Sequence, residues 1–171
     1  MKKFKLTKES KTVFDVKLYR IEALRDFGDV SKGDKGGWIE KEDNLSQEDN
    51  AWVYGNARVY GNARVYGDAW VYGNARVYGD AWVYGDARVY GNARVYGNAW
   101  AAGNAKVYGN ARVYGKFRLE FGWCFGRKRK DWDVSEVENG EEILLIKDYK
   151  PSENEDEEVE IQVDGKTNDK S

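Results

Sequence analysis

The sequence predicts an all-β fold: a parallel β-helix of about five coils with β-strand caps at both ends. Three observations carry that expectation. From Val53 the chain repeats V-Y-G-[N/D]-A-[R/W/K], with hexads beginning at Val53, Val59, Val65, Val71, Val77, Val83, Val89, Val95, Ala101, Val107 and Val113. A period of six fits neither an α-helix nor a coiled coil. The glycine in each hexad also opposes a helix.

Each hexad reads as a short strand and a corner. Val at the first place and Ala at the fifth point inward. Tyr at the second place and Arg, Trp or Lys at the sixth flank Val, so strand alternation turns them outward. Gly and Asn/Asp at the third and fourth places tolerate the left-handed backbone of a corner. Three sides close one triangular coil of 18 residues, and successive coils pair as parallel strands about 4.8 Å apart. The register extends both ways. Ile39, Leu45 and Ala51 are expected to share the inward Ala place, and Asn44 and Asn50 the corner. Leu119 and Phe125 are expected to continue the Val place, and Phe117 and Trp123 the Ala place. Residues 37–126 then give five coils, a rod of roughly 24 Å.

A stacked rod has raw ends that invite pairing. Residues 1–36 are expected to cover the first end as a β cap. FKL, VFDVKLYRIEAL and GDKGGW read as two or three strands and a glycine-rich turn, with Val13, Phe14, Val16, Leu18 and Ile21 over the first coil. Residues 127–163 read as an acidic cap at the other end. There EEILLIKDYK either pairs with EEVEIQV as a hairpin across a turn holding Pro151, or only ILLI packs. Residues 164–171 read as a disordered tail.

Composition excludes several chemistries. The 171 residues contain no histidine and a single cysteine, Cys124. The usual general base and the commonest zinc ligand are therefore missing. One cysteine makes neither an internal disulfide nor a thiolate metal site, which fits a reducing, cytoplasmic setting. The start, MKKFKLTKESK, does not read as a signal peptide, and no apolar run is long enough for a membrane span. The net charge of -2 hides an asymmetry: residues 1–130 carry 24 Lys/Arg against 15 Asp/Glu, whereas residues 131–171 carry 4 against 15.

Residues 18 apart align into outward columns, giving three faces. The first carries Trp52, Trp70, Arg88 and Lys106 beside Tyr54, Tyr72, Tyr90 and Tyr108. The second carries Arg58, Arg76, Arg94 and Arg112 beside Tyr60, Tyr78, Tyr96 and Tyr114. The third carries Arg64, Trp82, Trp100 and Arg118 beside Tyr66, Tyr84, Ala102 and Glu120. Stacked arginines repel unless something offsets them. An anionic partner, the chain's own acidic tail, or the covering of tyrosine rings by arginine stems each answers that. Tyrosine planes also offer stacking to bases. Trp52, Trp70, Trp82 and Trp100 leave apolar area in water, which marks an interface unless each indole lies flat on its neighbouring coil. Ala101-Ala102 reads as a notch beside Trp100, or as a gap that Trp100 leans over and fills. Asp68 and Asp86 share a corner but more often such groups bond their own turn, so no metal site is assigned.

The V-Y-G-N-A-R pattern resembles the hexapeptide repeat of left-handed parallel β-helices, the trimeric LpxA-like fold. Residues 18–57 are similar to the front end of poorly characterised hexapeptide-repeat proteins of bacteria and their phages, some carrying only a transferase label. The resemblance implies a left-handed coil and a homo-trimer or dimer. It also suggests acyl transfer, but the histidine that such enzymes commonly use is missing and no long loop interrupts the hexads. Cys124 reads as a buried thiol, with activation by Arg127 as the alternative. RKRK at 127–130 either grips phosphate or is a solvated turn.

The expectation is a non-enzymatic scaffold with no cofactor, binding a protein partner or itself through these ladders. A nucleic-acid or polyanion binder using the Arg/Tyr face, a phage-encoded inhibitor of a host defence protein, and a degenerate acyltransferase are the alternatives.

Overall fold

The computed structural model describes residues 1–125 and the strand pair Asp133–Val134 and Leu145–Ile146. The fold is a parallel β-solenoid of about five turns. One sheet runs from strand β1 (Phe4–Val13) through β2 (Val16–Ala23) and β3 (Lys35–Ile39) to the repeat strands that begin at Arg58, Arg76, Arg94 and Arg112. The second contains the strands beginning at Trp52, Trp70, Arg88, Lys106 and Trp123. The third contains those beginning at Arg64, Trp82, Trp100 and Arg118, with Leu45 bridged to Val65 at its edge.

Alternation sorts the side chains as expected. Every repeat Val and Ala from Ala51 to Val113 is buried, and their stacked side chains form one continuous core. The backbone is satisfied by the next coil. Arg58 N donates to Ala75 O at 3.0 Å and Tyr60 N to Val77 O at 3.1 Å, and the same pair of bonds recurs around the rod. The corners need glycine for two reasons. Gly67 has φ +74, and a Cβ there would lie 2.9 Å from Gly85 N on the next coil. Among the described residues, no helix is long and apolar enough to cross a membrane.

The first coil departs from the expected register. Ile39 pairs with Val59 and Leu45 with Val65, so both occupy the Val column, not the Ala column. The interval from Leu45 to Val53 is eight residues, and the surplus serves the N-terminus. Gln47 Oε1 accepts from Lys3 N at 2.8 Å and Phe4 N at 3.1 Å, while its Nε2 donates to Phe4 O at 3.2 Å. Asn44 is likewise not a corner residue. Buried at the end of a 3₁₀ turn (Glu42–Asn44), its Nδ2 donates to Ala63 O at 2.8 Å and Gly61 O at 3.1 Å. Ala51 and Asn50 do hold their expected places.

The last coil is one residue short. Leu119 and Phe117 keep the Val and Ala columns. Beyond them, Val107 pairs with Cys124, and Lys106 with Trp123. Gly122 O accepts from Lys106 N at 2.9 Å, the role that Ala carbonyls play elsewhere. Trp123 therefore faces out, 47% exposed, and Cys124, not Phe125, is the register partner of Val107 and is buried. A one-residue slip exchanges the two faces of a strand.

At the N-terminal end, β1 and β2 form an antiparallel hairpin, and β2 pairs antiparallel with β3. Phe4 and Phe27 meet Trp52 edge-on, at 6.1 and 5.3 Å between ring centres. Ile21 joins this core and Leu18 is buried, as expected. Val13 and Val16 are only half-buried, and Phe14 is 72% exposed because it forms the hairpin turn. Lys3 is fully buried, its Nζ donating to Ala51 O at 2.8 Å and Asp49 O at 2.9 Å. Leu145–Ile146 pairs antiparallel with Asp133–Val134. The expected hairpin partner EEVEIQV, the RKRK run and the tail at 164–171 lie outside the described residues.

Candidate binding face

The second face is built by strand register alone. Arg58, Arg76, Arg94 and Arg112 are cross-strand neighbours in four successive parallel strands. Two places along each strand, the tyrosines form a second column. Tyr60 and Tyr78 stack at 5.1 Å, Tyr78 and Tyr96 at 4.9 Å, and Tyr96 and Tyr114 at 5.3 Å, with planes within 11° of parallel. The rings thus use their planes on one another and turn their edges outward. Between successive rings no plane is open to a nucleobase.

Electrostatics follow from burial under this ladder. The phenols of Tyr60, Tyr78 and Tyr96 are pushed above their ordinary pKa by burial. Arg58 is pushed down, first by burial and then by the Arg76 charge beside it. All four arginines are half-buried.

The other faces differ. Trp82 and Trp100 stack at 5.2 Å, and Arg118 caps Trp100 at 4.0 Å from its ring centre. Tyr84 meets Trp100 edge-on at 6.0 Å, as Tyr66 meets Trp82 at 6.0 Å. Trp100 therefore keeps the geometry of its neighbour and does not lean over. Nor is Ala102 an open notch: it is 2% exposed. On the first face, Trp70 is half-buried beneath Arg88 at 5.3 Å. Trp52 corrects the expectation of an exposed ring. It is wholly covered by the N-terminal segment and offers no surface.

Several corner side chains bond between coils. Asn50 donates to Asp68 at 2.8 Å, Asn62 to Asp80 at 3.0 Å, and Asn74 to Asn92 at 3.4 Å. Among the described residues, no group of three metal-ligating side chains is assembled. Cys124 is buried, and burial pushes its thiol up to about 12.

The YdcK beta solenoid repeat family model matches residues 51–67, 57–73, 69–85, 87–103 and 105–120. The chain is a β-solenoid repeat protein. The starts of the matched segments differ by multiples of six, so each repeat unit spans about one coil, in the phase read from the hexads. No curated protein matches the chain.

Sequence reading missed the head of the arginine column. Trp38 precedes Arg58 in register, with Lys11 Nζ 3.9 Å above its ring and Arg20 Cζ 5.1 Å from it. The signal was Trp38-Ile39 itself. It has the outward-inward form of Trp52-Val53 in this solenoid, displaced by two residues.

Proposed function

We propose that this β-solenoid is a non-enzymatic binding or assembly scaffold, acting in the cytoplasm, that presents its arginine, tyrosine and tryptophan ladders to a macromolecular partner. The observation that carries the reading is the registered column Arg58, Arg76, Arg94 and Arg112 beside four stacked tyrosines. Like charges on adjacent strands are unfavourable by themselves, and an anionic partner surface offsets them. The ladders are held by packing, so docking orders few side chains and loses little entropy. A chain without histidine, whose single thiol is buried, supports binding over catalysis.

The test is affinity capture from the native cytoplasm with the wild-type chain and with Arg76→Glu/Arg94→Glu. A partner retained by the first and released by the second, and by salt, is the expected result. An identical captured set for both chains overturns the role of this face. Turnover of an acyl-CoA would overturn the non-enzymatic reading. Light scattering decides self-association: a dimer or trimer that dissociates on Trp82→Gln/Trp100→Gln assigns the tryptophan face to assembly, and a monomer at high concentration removes it.

A second reading, polyanion binding, is favoured by four guanidinium groups in register on successive strands. With tyrosine planes stacked on one another, such binding would be electrostatic and sequence-tolerant. Oligonucleotide retention falling steeply with salt is its signature.

A further inference from the structure

We propose that the head of the arginine column, where the β1–β2 hairpin meets β3, is a binding site for a tetrahedral oxyanion, a phosphate or sulfate group. Four cations gather there. Lys11 Nζ and the Arg20 guanidinium lie over Trp38, at 3.9 and 5.1 Å from its ring centre. Arg58 is the cross-strand neighbour of Trp38, and Arg76 is the neighbour of Arg58. Arg76 Cζ also stands 5.7 Å from the ring of Phe14 in the hairpin turn.

The cluster has donors in excess. Arg20 Nε, Trp38 Nε1 and Arg58 Nε are buried without an acceptor, on three consecutive strands of one sheet. Orphaned buried donors are rare and costly. Among the described residues few acceptors answer them: Gly55 O accepts from Arg20 Nη1 at 3.2 Å, and Glu9, the acid that Lys11 senses, has its carboxylate 3.5 Å from Lys35 Nζ. Lys11 is pushed down to about 8, first by burial and then by Arg58 and Arg20.

Charge and geometry select the ligand class. A phosphate group carries close to two negative charges and three strong acceptor oxygens. A lone carboxylate offers one charge and two oxygens in a plane, too little for cations arriving from a hairpin and two further strands. The turn above the cluster holds Phe14 and Asp15 at φ 50° and 62°, the left-handed pair that a two-residue hairpin turn between Val13 and Val16 requires.

The site shares Arg58 and Arg76 with the proposed partner face, but its test needs no partner. The indole N–H resonance of Trp38, assigned with Trp38→Phe, is followed by NMR during titration with inorganic phosphate, sulfate and O-phosphoserine, with chloride at matched ionic strength as control. Saturable movement of Trp38 is expected, weakened about tenfold or more in Lys11→Met/Arg76→Gln. The Trp82 and Trp100 resonances, on another face, should stay in place and report an intact fold. Tighter binding of inorganic phosphate than of O-phosphoserine indicates a free ion, and the reverse a phosphate carried by a larger molecule. A Trp38 signal that stays still, that moves equally in chloride, or that moves equally in the double variant overturns the proposal. Loss of partner capture with a normal Trp38 titration would refute the scaffold reading alone.

Discussion

Trp38 stands beside Arg58 on neighbouring parallel strands, twenty residues apart, where Arg58, Arg76, Arg94 and Arg112 follow one another at eighteen. That offset places an indole at the head of a guanidinium column and lets the N-terminal hairpin add Lys11 and Arg20 around it. The column is therefore strongly cationic at one end of the rod.

Relief of repulsion should be measurable. Arg76 lies between Arg58 and Arg94 on adjacent strands. Arg76→Glu should raise stability by about 0.5–1 kcal/mol at low salt, and the gain should shrink as salt screens it. Urea denaturation at two ionic strengths checks this. A loss of stability at low salt would show that the column is already neutralised within the chain.

Tyrosine stacking should matter through the ring and not the hydroxyl. Tyr78 is stacked on both sides, by Tyr60 and Tyr96. Tyr78→Ala should destabilise by about 1–3 kcal/mol, whereas Tyr78→Phe should stay within about 0.5 kcal/mol. Equal losses for the two variants would shift the role to the phenol oxygen.

Two corner glycines separate backbone conformation from crowding. A Cβ at Gly67 meets Gly85 N at 2.9 Å, whereas at Gly55 its nearest neighbour is Gly73 O at 3.9 Å. Gly55→Ala should cost about 1–2 kcal/mol for its left-handed backbone, and Gly67→Ala distinctly more. Thermal melts of the two variants give the comparison, and equal costs would show that the coils separate readily.

Stability should rise with pH between about 8 and 10.5 through Lys3. Its folded pKa is pushed down to about 8, mainly by burial. Over that window the unfolded chain holds a proton that the folded chain has released, so raising pH favours folding. Lys11 acts in the same direction, attenuated by solvent. Tyr60, Tyr78 and Tyr96 oppose it above pH 10, because their raised folded pKa values keep protons that the unfolded chain loses. Melting temperatures across this range should climb and then fall, and Lys3→Met should flatten the climb.

Cys124 reports on the shortened last coil. Buried opposite Val107, its thiol should resist a disulfide reagent in the native protein and react fully in denaturant. Native reactivity at the rate of a free thiol would return Phe125 to the inward place.

The repeated part was legible because one pattern is enforced eleven times. Val at every sixth place settles which side faces in, and Gly settles where the chain turns. The same pattern assigned Arg58, Arg76, Arg94 and Arg112 to one face before any coordinates. Legibility failed where the period slips: two residues near Ser46 put Ile39 and Leu45 in another column, and one missing residue before Trp123 exchanged Trp123 with Cys124. The first slip is marked only by the Trp38-Ile39 pair, and the second has no local signature, since its segment keeps plausible apolar residues in either register.

By itself the sequence determined the coil, its three faces and the ladders, because strand alternation and corner chemistry act within six residues. Tertiary structure alone decided that Trp52 is buried, that the tyrosine planes are spent on one another, and that Lys11, Arg20 and Arg58 meet around Trp38. Those outcomes depend on contacts between segments far apart in the chain. Which coil lies beneath which is set by packing, and no short stretch of residues encodes it.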